Sequence, residues 1–259
     1  MNCLKQLTIV SAAVLFSACR TTGLNQITQT STIDALLAGC YDGEMRLSEL
    51  LTKGNTGLGT FNSLDGEMVV LNGSVYQIKS DGKVHRPPLS SCTPFACVTT
   101  FSPDASYTID KAVNYNQLKA YLNQNAPNQN IFYSFIINGY FTYMKTRSVP
   151  AQKMPYPPLS EVAKKQVVFE QKDVRGTIVG FRCPAYVKGI NVPGYHVHFL
   201  SEDKNFGGHI LNFEMKNGQV MVDAATNFTL IVPAHGRFSS TNLTKDRSQE
   251  LHQVESDKN

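Results

Sequence analysis

The 259-residue chain carries 24 Lys and Arg against 20 Asp and Glu, a formal net charge of +4. With 42% hydrophobic and 17% charged residues, it has the composition of a packed globular protein and not of a disordered one. Its basic residues are scattered and form no stripe with stacking aromatics, which argues against a nucleic-acid-binding surface.

The N-terminus reads as an export signal. Lys5 provides a minimal positive region, Leu7 to Phe16 an apolar stretch too short to span a bilayer, and Ser17 and Ala18 are small residues directly before Cys19. This resembles a bacterial lipoprotein box in which Cys19 is lipidated, with one departure at Phe16, where leucine is usual. Simple cleavage and secretion is the alternative. Residues 1–19 are therefore set apart as a leader, and 20–30, rich in Thr, Gln and Asn, as a tether. The expected location is periplasmic, membrane-anchored or secreted. Export permits disulfides, and Cys92 and Cys97 are close enough in sequence to pair.

Thr32 is placed to cap a short helix carrying Ile33, Leu36 and Leu37, and Ser48 to Leu51 reads as a second helical stretch. The text then turns to strands. Asp65-Gly66, Asn72-Gly73 and Asp81-Gly82 separate apolar runs, which predicts a hairpin meander. Glu67 begins one of these strands and, on local sequence, is a solvated strand end. Asn116 to Asn123 predicts a helix, and Ile131 to Met144, rich in Phe, Tyr and Ile, a buried strand or bent strand pair. Arg147 follows directly. Its planar guanidinium suits bidentate binding of a carboxylate, although a surface cation has the same signature. Pro150, Pro155, Pro157 and Pro158 mark a boundary between an N-terminal half, 31–157, and a C-terminal half, 158–259. Short strands are expected at 167–171, 176–181, 220–223 and 227–232, forming a small barrel or sandwich. From Arg237 onward the chain is polar and reads as a loose tail, Glu255 included.

The most informative stretch is Tyr195-His196-Val197-His198-Phe199 with His209 beyond it. On a strand, alternate side chains share a face, so His196 and His198 lie about 6–7 Å apart on one side while Tyr195, Val197 and Phe199 face the other. The polar run from Ser201, ending in Gly207-Gly208, predicts a hairpin that returns His209 opposite the first two. Three neutral imidazoles with an open fourth position are the usual ligand set of a catalytic zinc.

Taken together, several ordered motifs resemble bacterial acetolactate decarboxylase. They are Ser31-Thr32-Ile33 with Ala35-Leu36-Leu37, Gly39 and Tyr41-Asp42-Gly43; Gly57-Leu58-Gly59-Thr60-Phe61 with Leu64-Asp65-Gly66-Glu67; Thr93-Pro94-Phe95-Ala96; and Gly194 to Phe199 leading to Gly207-Gly208-His209. The likeness covers Ser31 to about Glu255. It implies that His196, His198 and His209 bind zinc, that Glu67, Arg147 and Glu255 complete the catalytic site, and that Thr60 is a weaker, substrate-binding addition. It further implies a two-domain, β-rich α/β fold with the site between a mixed sheet and a smaller β-barrel-like half, commonly as a homodimer, and a small-molecule substrate, 2-acetolactate. Two other readings stay open on the residues alone. His198-x3-Glu202 superficially resembles the cupin metal motif, which would make Glu202 a ligand of an oxygenase or isomerase. A non-enzymatic metal-binding surface lipoprotein is the other.

Overall fold

The computed structural model describes residues 25–255. The leader, including Cys19, lies outside the described residues. Among the described residues no helix is long and apolar enough to cross a membrane.

In chain order the elements are β1 (Gln26–Thr30), α1 (Ile33–Leu37), β2 (Met45–Arg46), α2 (Leu47–Leu50), β3 (Thr56–Thr60), β4 (Glu67–Leu71), β5 (Ser74–Ile78), β6 (Val84–His85), β7 (Cys92–Thr93), β8 (Ala96–Thr99), β9 (Ala105–Ile109) and β10 (Val113–Asn114). They continue with α3 (Tyr115–Asn125), β11 (Phe132–Ser148), α4 (Leu159–Val162), β12 (Val167–Cys183), β13 (Gly194–Ser201), β14 (Gly207–Ala225), β15 (Asn227–Ile231), α5 (Gly236–Ser240) and α6 (Ser248–Glu255). The fold is the strand-rich α/β class that the sequence predicts.

One sheet has seven strands in the order β15-β1-β8-β3-β4-β5-β6. Its meander follows the Asx-Gly turns. Asn72 and Gly73 both have positive φ, 51° and 74°, the primed geometry whose twist matches a two-residue hairpin, and Leu71 pairs with Ser74 across it. Every residue of β4 is buried, because Met68 and Val70 pack toward α2 with Leu47 and Leu50, while Val69 and Leu71 pack against Ile136, Val179 and Leu200 of the second sheet. The two-residue period therefore puts Glu67 on the face toward that sheet.

The second sheet is built from three long strands. β14 pairs with β11, β11 with β12, β12 with β13, and β13 returns to β14, closing a hydrogen-bonded circuit. Its interior holds Phe135, Phe141, Phe199 and Phe213, all fully buried, and is covered by Leu118 and Leu122 of α3. An Asn114–Gln117 capping box starts that helix.

Four expectations need correction. The tether reaches into the first sheet: β1 lies between β15 and β8, because its polar side chains are satisfied inside the protein, with Gln29 Nε2 donating to the carbonyls of Ser31 and Ile190. The proline-rich stretch does not separate the sheets. It joins β11 to β12, which pair from Tyr133↔Arg182 to Ser148↔Val167; the second sheet takes β9 to β14, and the chain then returns to the first sheet through β15. The strands expected at 167–171 and 176–181 are one strand, β12, which runs on through Asp173 although that residue takes a positive φ of 53°. The tail is not loose, since α6 docks through Val254 and Leu251 on a cluster containing Ile33, Leu36, Leu159 and Val162. Cys92 and Cys97 are both free; the Cys97 sulfur accepts from Asn191 Nδ2 at 3.7 Å.

Candidate active site

The site is built between the sheets. His196 and His198 project from β13 on the face opposite Val197 and Phe199, which are buried in the interior of the second sheet. His198 pairs in register with His209, and Arg147 at the end of β11 pairs with His209 from the other side. Gly208 makes this approach possible: its φ is +129°, and a Cβ there would stand 2.5 Å from the Arg147 carbonyl oxygen.

The three imidazoles converge. Their ring centroids are 5.1–5.3 Å apart, and one ring nitrogen from each lies within 4.8 Å of the others. His196, His198 and His209 are 8%, 1% and 4% exposed. Burial, reinforced by the Arg147 charge, lowers His196 to about 3 and holds His198 and His209 well below the ordinary histidine value. All three are therefore neutral and carry a lone pair at physiological pH. The carbonyl of Met68 on β4 accepts from His198 Nδ1 at 2.8 Å, which leaves Nε2 as the lone-pair nitrogen. That atom, like His196 Nδ1, is buried without a hydrogen-bond partner. Buried lone pairs converging without donors are what a borderline cation such as zinc satisfies, so the donor set fits a metal.

Two carboxylates border the triad. Glu67 Oε2 lies 3.6 Å from His198 Nε2, and Glu255 Oε2 lies 3.6 Å from His209 Nε2. Burial lifts Glu67 to about 7, against the opposing pull of Arg147, and also raises Glu255. Arg147 is 4% exposed, its Nη2 is 3.9 Å from Glu255 Oε1, and its Nε is unpartnered. Thr60 pairs with Glu67 across β3 and β4, and its hydroxyl donates to the Gly66 carbonyl at 2.7 Å, fixing the turn that launches Glu67. The seven residues that the family resemblance assigns to the site line one cavity.

Glu202 does not belong to it. That residue is exposed in the turn after β13, which removes the cupin reading. Sequence reasoning missed the Met68 carbonyl and the apolar wall of the cavity, formed by Ile33, Leu36, Leu64, Phe95, Leu159 and Val254. A backbone acceptor has no sequence signal, and the wall residues read only as ordinary core positions of separate short elements.

Comparison with known proteins agrees with this architecture. A family description, alpha-acetolactate decarboxylase, matches residues 27–245. The chain is 45% identical to an alpha-acetolactate decarboxylase of Methanosarcina mazei, over 88% of this chain and 79% of the relative. It is 43% identical to one from Methylococcus capsulatus, over 89% of both. The crystal structure of the Bacillus subtilis enzyme superposes with a TM-score of 0.88 at 38% identity, covering 90% of this chain and all of that one. With that likeness sustained across both sheets and the cavity between them, the chain belongs to the alpha-acetolactate decarboxylase family of carboxy-lyases.

Proposed function

We propose that this protein converts 2-acetolactate to acetoin and carbon dioxide with zinc held by His196, His198 and His209. The observation that carries the reading is Arg147, a buried guanidinium paired in register with His209 and sharing one cavity wall with three neutral imidazoles. Zinc held by these three imidazoles would supply Lewis acidity, the electron sink that loss of carbon dioxide requires.

The protein's own groups do the rest. Arg147 takes the substrate carboxylate as a fixed, planar donor and holds it in one orientation until the carbon–carbon bond breaks. The electron pair of that bond passes to the ketone oxygen, leaving an enediolate. Burial that lifts Glu67 to about 7, against the downward pull of Arg147, makes its carboxyl the group able to carry a proton near neutrality. That proton goes to the former carboxylate-bearing carbon from the side on which Glu67 stands, giving chiral acetoin. Thr60 supports Glu67 through the Gly66 turn.

The test is zinc-supplemented protein mixed with racemic 2-acetolactate and followed for acetoin and carbon dioxide beside a His196→Ala control. Turnover that disappears in the control is the expected result; a folded, zinc-loaded protein that releases neither product sinks the reading. We also propose export with a lipid anchor at Cys19, supported by the leader pattern from Lys5 to Cys19, and a homodimer, supported by the family resemblance. Incorporation of labelled fatty acid and light scattering test these two.

A further inference from the structure

The cavity has two unlike walls. The polar wall takes the carboxylate and the two oxygens of a 2-hydroxy-3-oxo acid, so whatever alkyl groups the substrate carries must turn to the opposite side. There stand Ile33 and Leu36 of α1, Leu159 of α4 and Val254 of α6, packed as one cluster with Val254 itself 3% exposed. These four side chains bound that side of the cavity, so the room left for an alkyl group is set by how far they project into it.

Val254 is the member of this wall most directly coupled to the polar side. The next residue, Glu255, reaches both Arg147 and His209, so the position of Val254 is fixed relative to the groups that anchor the substrate. We infer that Val254 is a specificity-determining residue: its side chain bounds the alkyl subsite and limits the substrate to small 2-hydroxy-3-oxo acids. The inference rests on the decarboxylase reading proposed above.

The experiment compares kcat/KM for 2-acetolactate with that for its two one-carbon homologues, one carrying ethyl at C2 and one carrying propionyl for acetyl, in the parent enzyme, Val254→Ala and Val254→Ile. One methylene in an apolar pocket is worth about 10-fold or more in discrimination. Val254→Ala is expected to shift the ratio toward at least one homologue by about that factor, and Val254→Ile to shift it the opposite way. Because Ile keeps the wall packed and the helix docked, it reports even where Val254→Ala misplaces Glu255 and loses activity altogether. Ratios unchanged in the active variants overturn the inference while acetolactate turnover by the parent upholds the decarboxylase reading. Failure of the parent to turn over 2-acetolactate removes both.

Discussion

The two walls of the cavity are made by different physics. The histidine and arginine wall is set by strand register: His198 opposite His209, His209 opposite Arg147, each fixed by ladder hydrogen bonds on long strands. The apolar wall is set by side-chain packing among three short helices, α1, α4 and α6, none of which is stable without its neighbours. Register places an atom to within a fraction of an ångström, as chemistry demands. Packing fixes volume, as selection between substrates demands. Substitutions on the first wall should therefore damage catalysis, and those on the second should damage stability and selectivity.

The largest effect is expected from His198→Ala, which removes a ring nitrogen from the triad and the link to the Met68 carbonyl. Acetoin formation should fall to the level of metal-stripped protein, with zinc content measured alongside by elemental analysis. Next is Arg147→Lys, which keeps the charge and loses the planar fork. A drop of about 10–100-fold in kcat/KM is expected, and parent-like kinetics would show that the guanidinium does not bind the carboxylate.

Leu36→Ala tests the packed wall. The residue is 7% exposed, so its truncation should destabilise the fold by about 2–5 kcal/mol in denaturant unfolding while kcat stays near the parent value. A smaller effect is expected from Asp223→Asn, at the end of β14 remote from the histidines. Burial raises the Asp223 carboxyl to about 6, with Asp104 adding to the rise, whereas in the unfolded chain it titrates near 3.8. Between those values the folded state holds a proton that the unfolded state has released, so the contribution of this group to stability falls as pH rises from about 4 to about 6. Melting curves of the Asn variant should lose that component of the slope. The smallest effect belongs to Glu202→Ala, in an exposed turn, where stability should move by no more than about 0.5 kcal/mol and turnover not at all.

What could be read in the sequence was what is local. The histidine hairpin is legible because alternation on a strand and a Gly-Gly turn are both written within a few residues, and the meander because each Asx-Gly pair specifies its own turn. Glu67 could not be read that way. Its local context is a strand end, and only the approach of the second sheet buries it; the family resemblance, not spacing, located it. β1 was missed because polarity usually marks exposure, yet Gln29 is fully buried and bonded through both ends of its amide, to Ile190 and Asn191. α6 was missed for the converse reason: it has one fully buried side chain, Val254, too little for a periodic pattern, and its function depends on where that one residue docks.

The parallel pairing of β1 with β15 bears on how the chain reaches its native state. Gln26 and Thr229, hydrogen-bonded neighbours in the first sheet, are 203 positions apart in sequence. The first strand of the fold cannot acquire its outer neighbour until the chain as far as Ile231 is available to it, and its open edge must be kept from pairing elsewhere in the interval. Closing so long a loop costs only slightly more entropy than closing a short one, but it places the final sheet contact at the end of a slow, nonlocal search. A nascent chain that stops short of Asn227 carries the histidine hairpin complete and the sheet beside it unfinished.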